Sequence, residues 1–275
     1  MAGKVTTIQR GGSRFYVNAE TNERVPGVTS VLAMLPKPFL TPWAAKTTAE
    51  AAVDNLPAVT SIAKYDRDGA VDFLKGAYRR YTKTRAGIGS EAHDLFERMI
   101  REEVVNPADL PSQMRPYYEN FSEFLDKVQP QLLRAEDVAW SDRHQYAGSF
   151  DALLRITGDD GETVTVIVDW KTSKDTYPEV ALQMAAYGFA DRLIDPEGNS
   201  EPMPLIDAAA VLHITDTRWK FKPVRFDAEV FGCFLNLRRT FDWDREVSST
   251  VIGKPFAQGA FGNARIITGT ERRGK

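Results

Sequence analysis

The sequence predicts an α/β protein in which a mixed central β-sheet is flanked by helices and preceded by a helix-rich N-terminal part. Three observations predict it. Helical patterning starts at TPWAAKTTAEAAVDNL and continues for about ninety residues. The texture then changes near residue 131 to short β-branched runs. Those runs are interrupted by one helical segment, PEVALQMAAYGFADRL, and followed by another, AEVFGCFLNLRRTFDWDRE.

Taken in order, residues 1–12 are polar and read as a frayed end. RFYVNAETNERVPGVTSVL reads as a short hairpin turning at AETNE and passing through Pro26-Gly27 into a helix-like segment. Thr41 is placed to cap a helix whose first residue is Pro42. Further helices are expected over 60–84, 90–104 and 111–128, with Asn106-Pro107 and Leu110-Pro111 as breaks. LLRAEDVAW, YAGSFDALLRI, VTVIVDW, LIDAAAVLHIT and KFKPVRF read as strands. Asp227 is the expected cap of the last helix. Without a repeat or a long linker, residues 1–246 are expected to form one domain, helix-rich over about 41–130 and α/β over about 131–246, with 247–275 as a tail.

Composition narrows the classes. The chain has 275 residues, 43% hydrophobic and 27% charged, with a net charge of -3, so no global positive field points to nucleic acid. Its single cysteine, Cys233, excludes an internal disulfide and any four-cysteine zinc or iron-sulfur site within the chain. With no secretory pattern and no apolar run of about 18 residues, the expected location is cytoplasmic and no membrane contact is expected.

One constellation carries chemistry. The strands around 149–156 and 163–170 flank TGDDGET, and a turn centred on Asp160 pairs residues whose numbers sum to a constant. Asp151 then lies opposite Asp169, Leu153 opposite Ile167 and Arg155 opposite Thr165. The other face, from Phe150 to Ile156 and Val164 to Trp170, is wholly apolar. Two carboxylates so placed repel one another. A divalent cation such as magnesium relieves that repulsion through hard oxygen ligands. Lys171 follows Asp169 on the same face by the strand period of two, which sets an ammonium beside the ion to meet phosphate or water.

These residues resemble the RecB-like branch of the PD-(D/E)xK nuclease superfamily, including its CRISPR-associated and phage-encoded exonucleases. GSFD carries the glycine and first aspartate, Gly148 and Asp151; VDWK carries Asp169 and Lys171; QMAAY carries Gln183 and Tyr187; and GIGSEAHDLFE supplies the upstream histidine, His93. The N-terminal VPGVTSVL and PFLTPWAAKTTAEAA are also similar to phage-encoded members, so the likeness spans roughly residues 26–240. It lacks the four cysteines that hold an iron-sulfur cluster in some relatives.

The resemblance implies a restriction-endonuclease-like core and metal-dependent DNA hydrolysis with Mg2+ or Mn2+. Asp151, Asp169, the main-chain carbonyl of Trp170 and His93 would bind the metal, with Lys171 acting on water and phosphate. Gln183 and Tyr187, four apart on one helix face, would reach the phosphate or the neighbouring nucleotide, and Glu136 would support the site. Taken by itself His93 is a structural hydrogen-bonder. With Ser90 as an N-cap it falls in a first helical turn, where the macrodipole keeps imidazole neutral and able to bind metal. From Lys64 to Arg85, seven basic residues outnumber three acidic ones, and Lys75, Arg79, Arg80, Lys83 and Arg85 are the expected nucleic-acid contacts. A second basic excess lies in the tail, at Lys254, Arg265, Arg272, Arg273 and Lys275 against Glu271. No base-reading motif is present, which predicts sequence-independent backbone contact. DNA is thus the expected partner, with a homo-oligomer or a recombination protein as further alternatives. The competing reading is a non-catalytic DNA-binding or end-protecting module of the same fold.

Overall fold

The computed structural model describes residues 5–158, 160–260 and 263–266. The chain opens with a three-stranded antiparallel meander, β1 (Val5–Arg10), β2 (Ser13–Asn18) and β3 (Arg24–Pro26). The first of these strands corrects the expectation of a frayed end. Gly11 and Gly12, at φ +56° and +76°, make the two-residue turn that lets β1 pair with β2 over its whole length.

Next come α1 (Val28–Leu32), α2 (Leu40–Asp54), α3 (Leu56–Tyr65), α4 (Arg67–Lys75), α5 (Ala77–Ile100) and α6 (Arg115–Val128). Thr41 is not a cap: α2 starts two residues earlier than expected, at Leu40, with no side-chain cap. Neither α2 nor α3 buries a residue. The largest departure is α5, which replaces the end of one expected helix and most of the next, stopping at Ile100. It runs unbroken through Gly87 and Gly89, each costing roughly 1 kcal/mol in a helix interior. Burial of Ala92, Leu95, Phe96, Met99 and Ile100 outweighs that cost.

The second half supplies β4 (Gln131–Ala135), β5 (Val138–Ser141), β6 (Tyr146–Ser149), β7 (Ala152–Thr157), β8 (Thr163–Lys171), α7 (Glu179–Gly188), β9 (Arg192–Ile194), β10 (Ser200–Pro202), β11 (Ala208–Ile214), β12 (Trp219–Val224) and α8 (Ala228–Asp242). A five-stranded sheet has the order β12-β11-β8-β7-β4. It is mixed, since β8 and β11 are parallel and the other neighbours antiparallel. A second sheet has the order β10-β9-β5-β6. The protein is therefore α/β with a mixed central sheet flanked by helices and a helical N-terminal part, which fits a restriction-endonuclease-like core.

Two segments expected as single strands each divide between the sheets. LLRAEDVAW breaks at Glu136–Asp137 and YAGSFDALLRI at Phe150–Asp151. Each segment contributes one strand to each sheet, as chains do where sheets meet at a corner. Glu136 takes a left-handed conformation at φ +61°, its N–H donates to the Asp151 carbonyl at 3.3 Å, and Ser149 Oγ donates to the Glu136 carbonyl at 3.0 Å. The short β9 and β10 were not anticipated, and α7 stops at Gly188 because the chain turns into β9.

The β7–β8 register is the expected one, with Leu153 opposite Ile167 and Arg155 opposite Thr165. Both faces of this hairpin are buried. Leu153 and Ile167 pack with α1, α7 and α8, whereas Ala152, Leu154, Val166, Val168 and Trp170 pack under α5 and α6. Phe150 leaves its expected face: the ladder ends at Ala152 and Val168, the chain bends, and the Phe150 ring joins the first core 6.3 Å from Tyr187. Asp227 caps α8 as expected, its Oδ1 accepting from Val230 N at 2.9 Å. The supposed tail carries a 3₁₀ turn at Ser248–Thr250 and a ribbon of β13 (Ala257–Ala260) and β14 (Asn263–Ile266), strands too short and polar to stand out in the sequence. Arg272, Arg273, Lys275 and Glu271 lie outside the described residues. Among the described residues no helix is long and apolar enough to cross a membrane.

Candidate active site

The break between the two sheets opens a pocket of about 570 Å3. His93 from α5, Glu136 and Asp151 from the two breaks, Asp169 and Lys171 from β8, and Gln183 and Tyr187 from α7 all line it. These side chains come from segments as far as ninety-four positions apart in the chain, from His93 to Tyr187, and only the fold brings them together.

The two aspartates are not a ladder pair. Asp151 sits one residue before β7, in the bend, and its Oδ2 accepts a hydrogen bond from Trp170 N. The carboxylate thus takes the donor that a continued ladder would have used. In extended backbone the N–H and C=O of one residue point to the same side, so the Trp170 carbonyl also faces Asp151. The Trp170 side chain points into the core, 1% exposed. Asp169 is 2% exposed, and Lys171 lies on the same side of β8 with its Nζ in ion contact with Asp169 Oδ2. The ammonium is the partner of this buried oxygen, in a contact outside ordinary hydrogen-bond geometry. Burial raises the Asp169 pKa; Lys171 opposes the rise and Asp151 adds to it.

His93 Nδ1 stands 3.3 Å from Asp151 Oδ1. It does not lie in a first helical turn, because α5 began at Ala77, so the macrodipole argument for a neutral ring fails. Burial favours the neutral ring, but the Asp151 hydrogen bond and the charges of Asp151 and Asp169 outweigh it and raise the His93 pKa. Glu136 is pushed up to about 7, first by burial and then by Asp151 and Glu97.

The Glu136 shift has a testable consequence in metal-free protein. The fold favours protonated Glu136, so its stabilising contribution is complete below the ordinary 4.5 and is lost as pH rises through about 7. Glu136→Gln is expected to be more stable than the natural protein at pH 8 by about 1–2 kcal/mol after solvent screening, with little difference at pH 4. Thermal unfolding in chelator at both pH values measures this. A pH-independent difference would contradict it.

Gln183 Nε2 donates to the Tyr187 hydroxyl at 3.1 Å, so the expected i,i+4 pair is present. Tyr187 is 2% exposed, and burial raises its pKa well above the ordinary value. It therefore acts as a neutral support for Gln183 at the pocket floor. Gly148 explains its own identity here, since a Cβ would come within 2.6 Å of Tyr187 Cε1 and 3.0 Å of Val28 Cγ2. Of the two histidines left without a role, His213 Nε2 pairs with the Ser173 carbonyl at 2.7 Å and His144 packs on Phe231, both away from the pocket lining.

Sequence reasoning missed Arg14, Tyr16, Glu97 and Ser149, which also line the pocket. Arg14 and Tyr16 project from one face of β2 by the period of two, and Tyr16 OH accepts from Ser149 N at 3.1 Å. Glu97 follows His93 by four on α5, a spacing visible in GSEAHDLFE. The basic cluster stays outside the pocket lining, at the end of α4 and the start of α5. Arg79 and Lys83 are exposed on the helical stripe that continues through Ala86 and Ser90 to His93. Arg80 is turned to Phe73, bonding its carbonyl at 2.8 Å and stacking at 4.5 Å; Arg85 stacks on Tyr81, and Lys75 is exposed on α4.

The oxygen donors suit a hard divalent cation: the carboxylates of Asp151 and Asp169 and the Trp170 carbonyl, with the His93 imidazole beside them. Among the described residues no three His, Cys, Asp or Glu side chains are gathered at metal-ligand spacing. Neither a scan against protein-family models nor a search of curated proteins returned a match.

Proposed function

We propose that this protein is a metal-dependent deoxyribonuclease that hydrolyses phosphodiester bonds at DNA ends. The observation that carries the reading is the convergence, in one pocket, of His93, Asp151 and Asp169 with an ammonium, Lys171, touching a buried carboxylate. Asp151, Asp169 and the Trp170 carbonyl, with His93 beside them, would hold Mg2+ or Mn2+. When bound, such an ion supplies Lewis acidity toward phosphate and lowers the pKa of coordinated water.

The chain's own residues then have distinct tasks. Lys171 meets a phosphate oxygen or holds the attacking water as Asp169 gives up its contact. Gln183, steadied by Tyr187, donates to the phosphate or adjoining sugar. Glu136, pushed up to about 7 in the metal-free protein, is part-protonated near neutral pH and lines the pocket wall, where it can donate or accept a hydrogen bond. Arg79 and Lys83 extend the same face of α5 outward, an approach for the phosphate backbone that needs no base sequence.

The resemblance to RecB-like PD-(D/E)xK enzymes adds the exonuclease reading, with DNA-end processing in phage or bacterial recombination, repair or replication. The proposed location is the cytoplasm, of the host if the protein is phage-encoded. The decisive experiment sets end-labelled linear DNA beside a closed circle, with manganese or with chelator. Loss of the linear substrate alone, only with metal, and its abolition in Lys171→Ala is the expected result. Retained binding without cleavage would replace the enzyme with the non-catalytic end-binding module.

A further inference from the structure

A second, smaller groove of about 250 Å3 adjoins the pocket and shares Thr29, Lys171 and Gln183 with it. Its character is different. Leu32, Val180 and the Tyr177 ring supply apolar surface, bordered by the Lys37–Glu179 ion pair at 2.8 Å. At its rim the Phe39 and Tyr177 rings lie 4° from parallel with centroids 6.3 Å apart. They are 51% and 48% exposed, so this aromatic pair is not held by the core.

Resting on the nuclease reading, we propose that this groove binds the unpaired terminal base of the strand being cut, stacked on Tyr177 and backed by Phe39. Three observations converge on that occupant. The groove begins at Lys171, so a base entering it stays attached to a phosphate at the catalytic residues. Its volume falls below the roughly 300–1,000 Å3 of sites enclosing a drug-sized ligand, which fits a base with its sugar and phosphate left in the polar pocket. Exposed aromatic faces hold single strands regardless of sequence, and this one stands among Lys37, Lys171, Asp175 and Glu179, so stacking rather than net positive charge is its contribution. A terminal base pair can stack its outer face on a ring but is too large to enter a groove of about 250 Å3 together, so the substrate class is a single-stranded or frayed end.

The test uses the full chain in chelator, so that cleavage plays no part, and an oligonucleotide bearing the fluorescent base 2-aminopurine. The base is placed at the terminus or at mid-strand, in a single strand or a blunt duplex. Terminal fluorescence in the single strand is expected to change on binding, and mid-strand fluorescence to change less. Tyr177→Ala should remove the terminal change and weaken single-strand binding by roughly 5- to 150-fold, the weight of a lost base–aromatic stack. Phe39→Ala should weaken it less, and Tyr177→Phe should restore it. Both rings are exposed, and circular dichroism checks that the variants keep the fold. Binding that persists unchanged in Tyr177→Ala overturns the stacking site and leaves the nuclease reading intact. Failure to bind any nucleic acid, in chelator and equally with non-catalytic calcium present, overturns both. A dimer that dissociates in Tyr177→Ala, with fluorescence unaltered, would assign the patch to a second copy of the chain instead.

Discussion

Asp169→Asn is expected to lower metal-dependent cleavage by at least about 10^3-fold, roughly 4 kcal/mol of transition-state stabilisation, while the metal-free protein becomes more stable. The two effects share one cause. Asp169 is a charge buried at 2% exposure, with one ammonium in ion contact. Burial raises its pKa, so its contribution to stability is present in acid and is lost as the pH rises. Asparagine keeps the shape without the charge. Lys171, 32% exposed, can then turn its ammonium to water, so no unpaired buried cation is left behind. The gain is expected to be about 1 kcal/mol in chelator and to grow from pH 4 to pH 8. Manganese should raise the melting temperature of the natural protein and leave that of the variant unmoved. Thermal melts with and without metal, run beside the cleavage assay, check both parts. A variant that is less stable in chelator and still cleaves would remove Asp169 from the site.

Trp170→Ala is expected to have the largest effect on stability, about 3–5 kcal/mol. The side chain is 1% exposed and stands where the sheet meets two helices, 5.5 Å from the Phe121 ring of α6 and 6.5 Å from the Phe96 ring of α5. Its loss leaves a cavity beneath the helix that presents His93. A drop in melting temperature on the order of 10 °C is expected, with cleavage falling as α5 loses its seat. Trp170→Phe keeps an edge-to-face partner for both rings and should recover most of each loss. Because the main chain is untouched, Trp170→Ala also separates the two uses of this residue. Urea denaturation measures the first; manganese affinity of the folded variant measures whether the carbonyl still serves.

Much of this architecture was legible in local pattern. The β7–β8 register followed from a symmetric turn and from apolar residues on alternate positions, because a slip of one residue would exchange the side chains offered to the two cores. Asp169 and Lys171 on one face follow from the strand period alone, as Gln183 and Tyr187 on one face follow from helical spacing. Asp227 announced its helix by being a short acceptor just before an apolar helical run.

What the sequence could not decide is where a strand bends and how far a helix continues, since both are settled by partners distant in the chain. Nothing within GSFDALL marks the bend that lifts Asp151 out of the ladder and onto Trp170 N; it exists because β6 and β7 serve different sheets. Nothing within AGIGSE says that α5 passes through two glycines, because the compensating burial under α6 and the sheet lies elsewhere. The amino-acid sequence by itself determined the fold class, the hairpin register and the residue types offered to the pocket. Tertiary structure alone decided their charge states and their convergence, because burial and the nearness of other charges are properties of the packed chain.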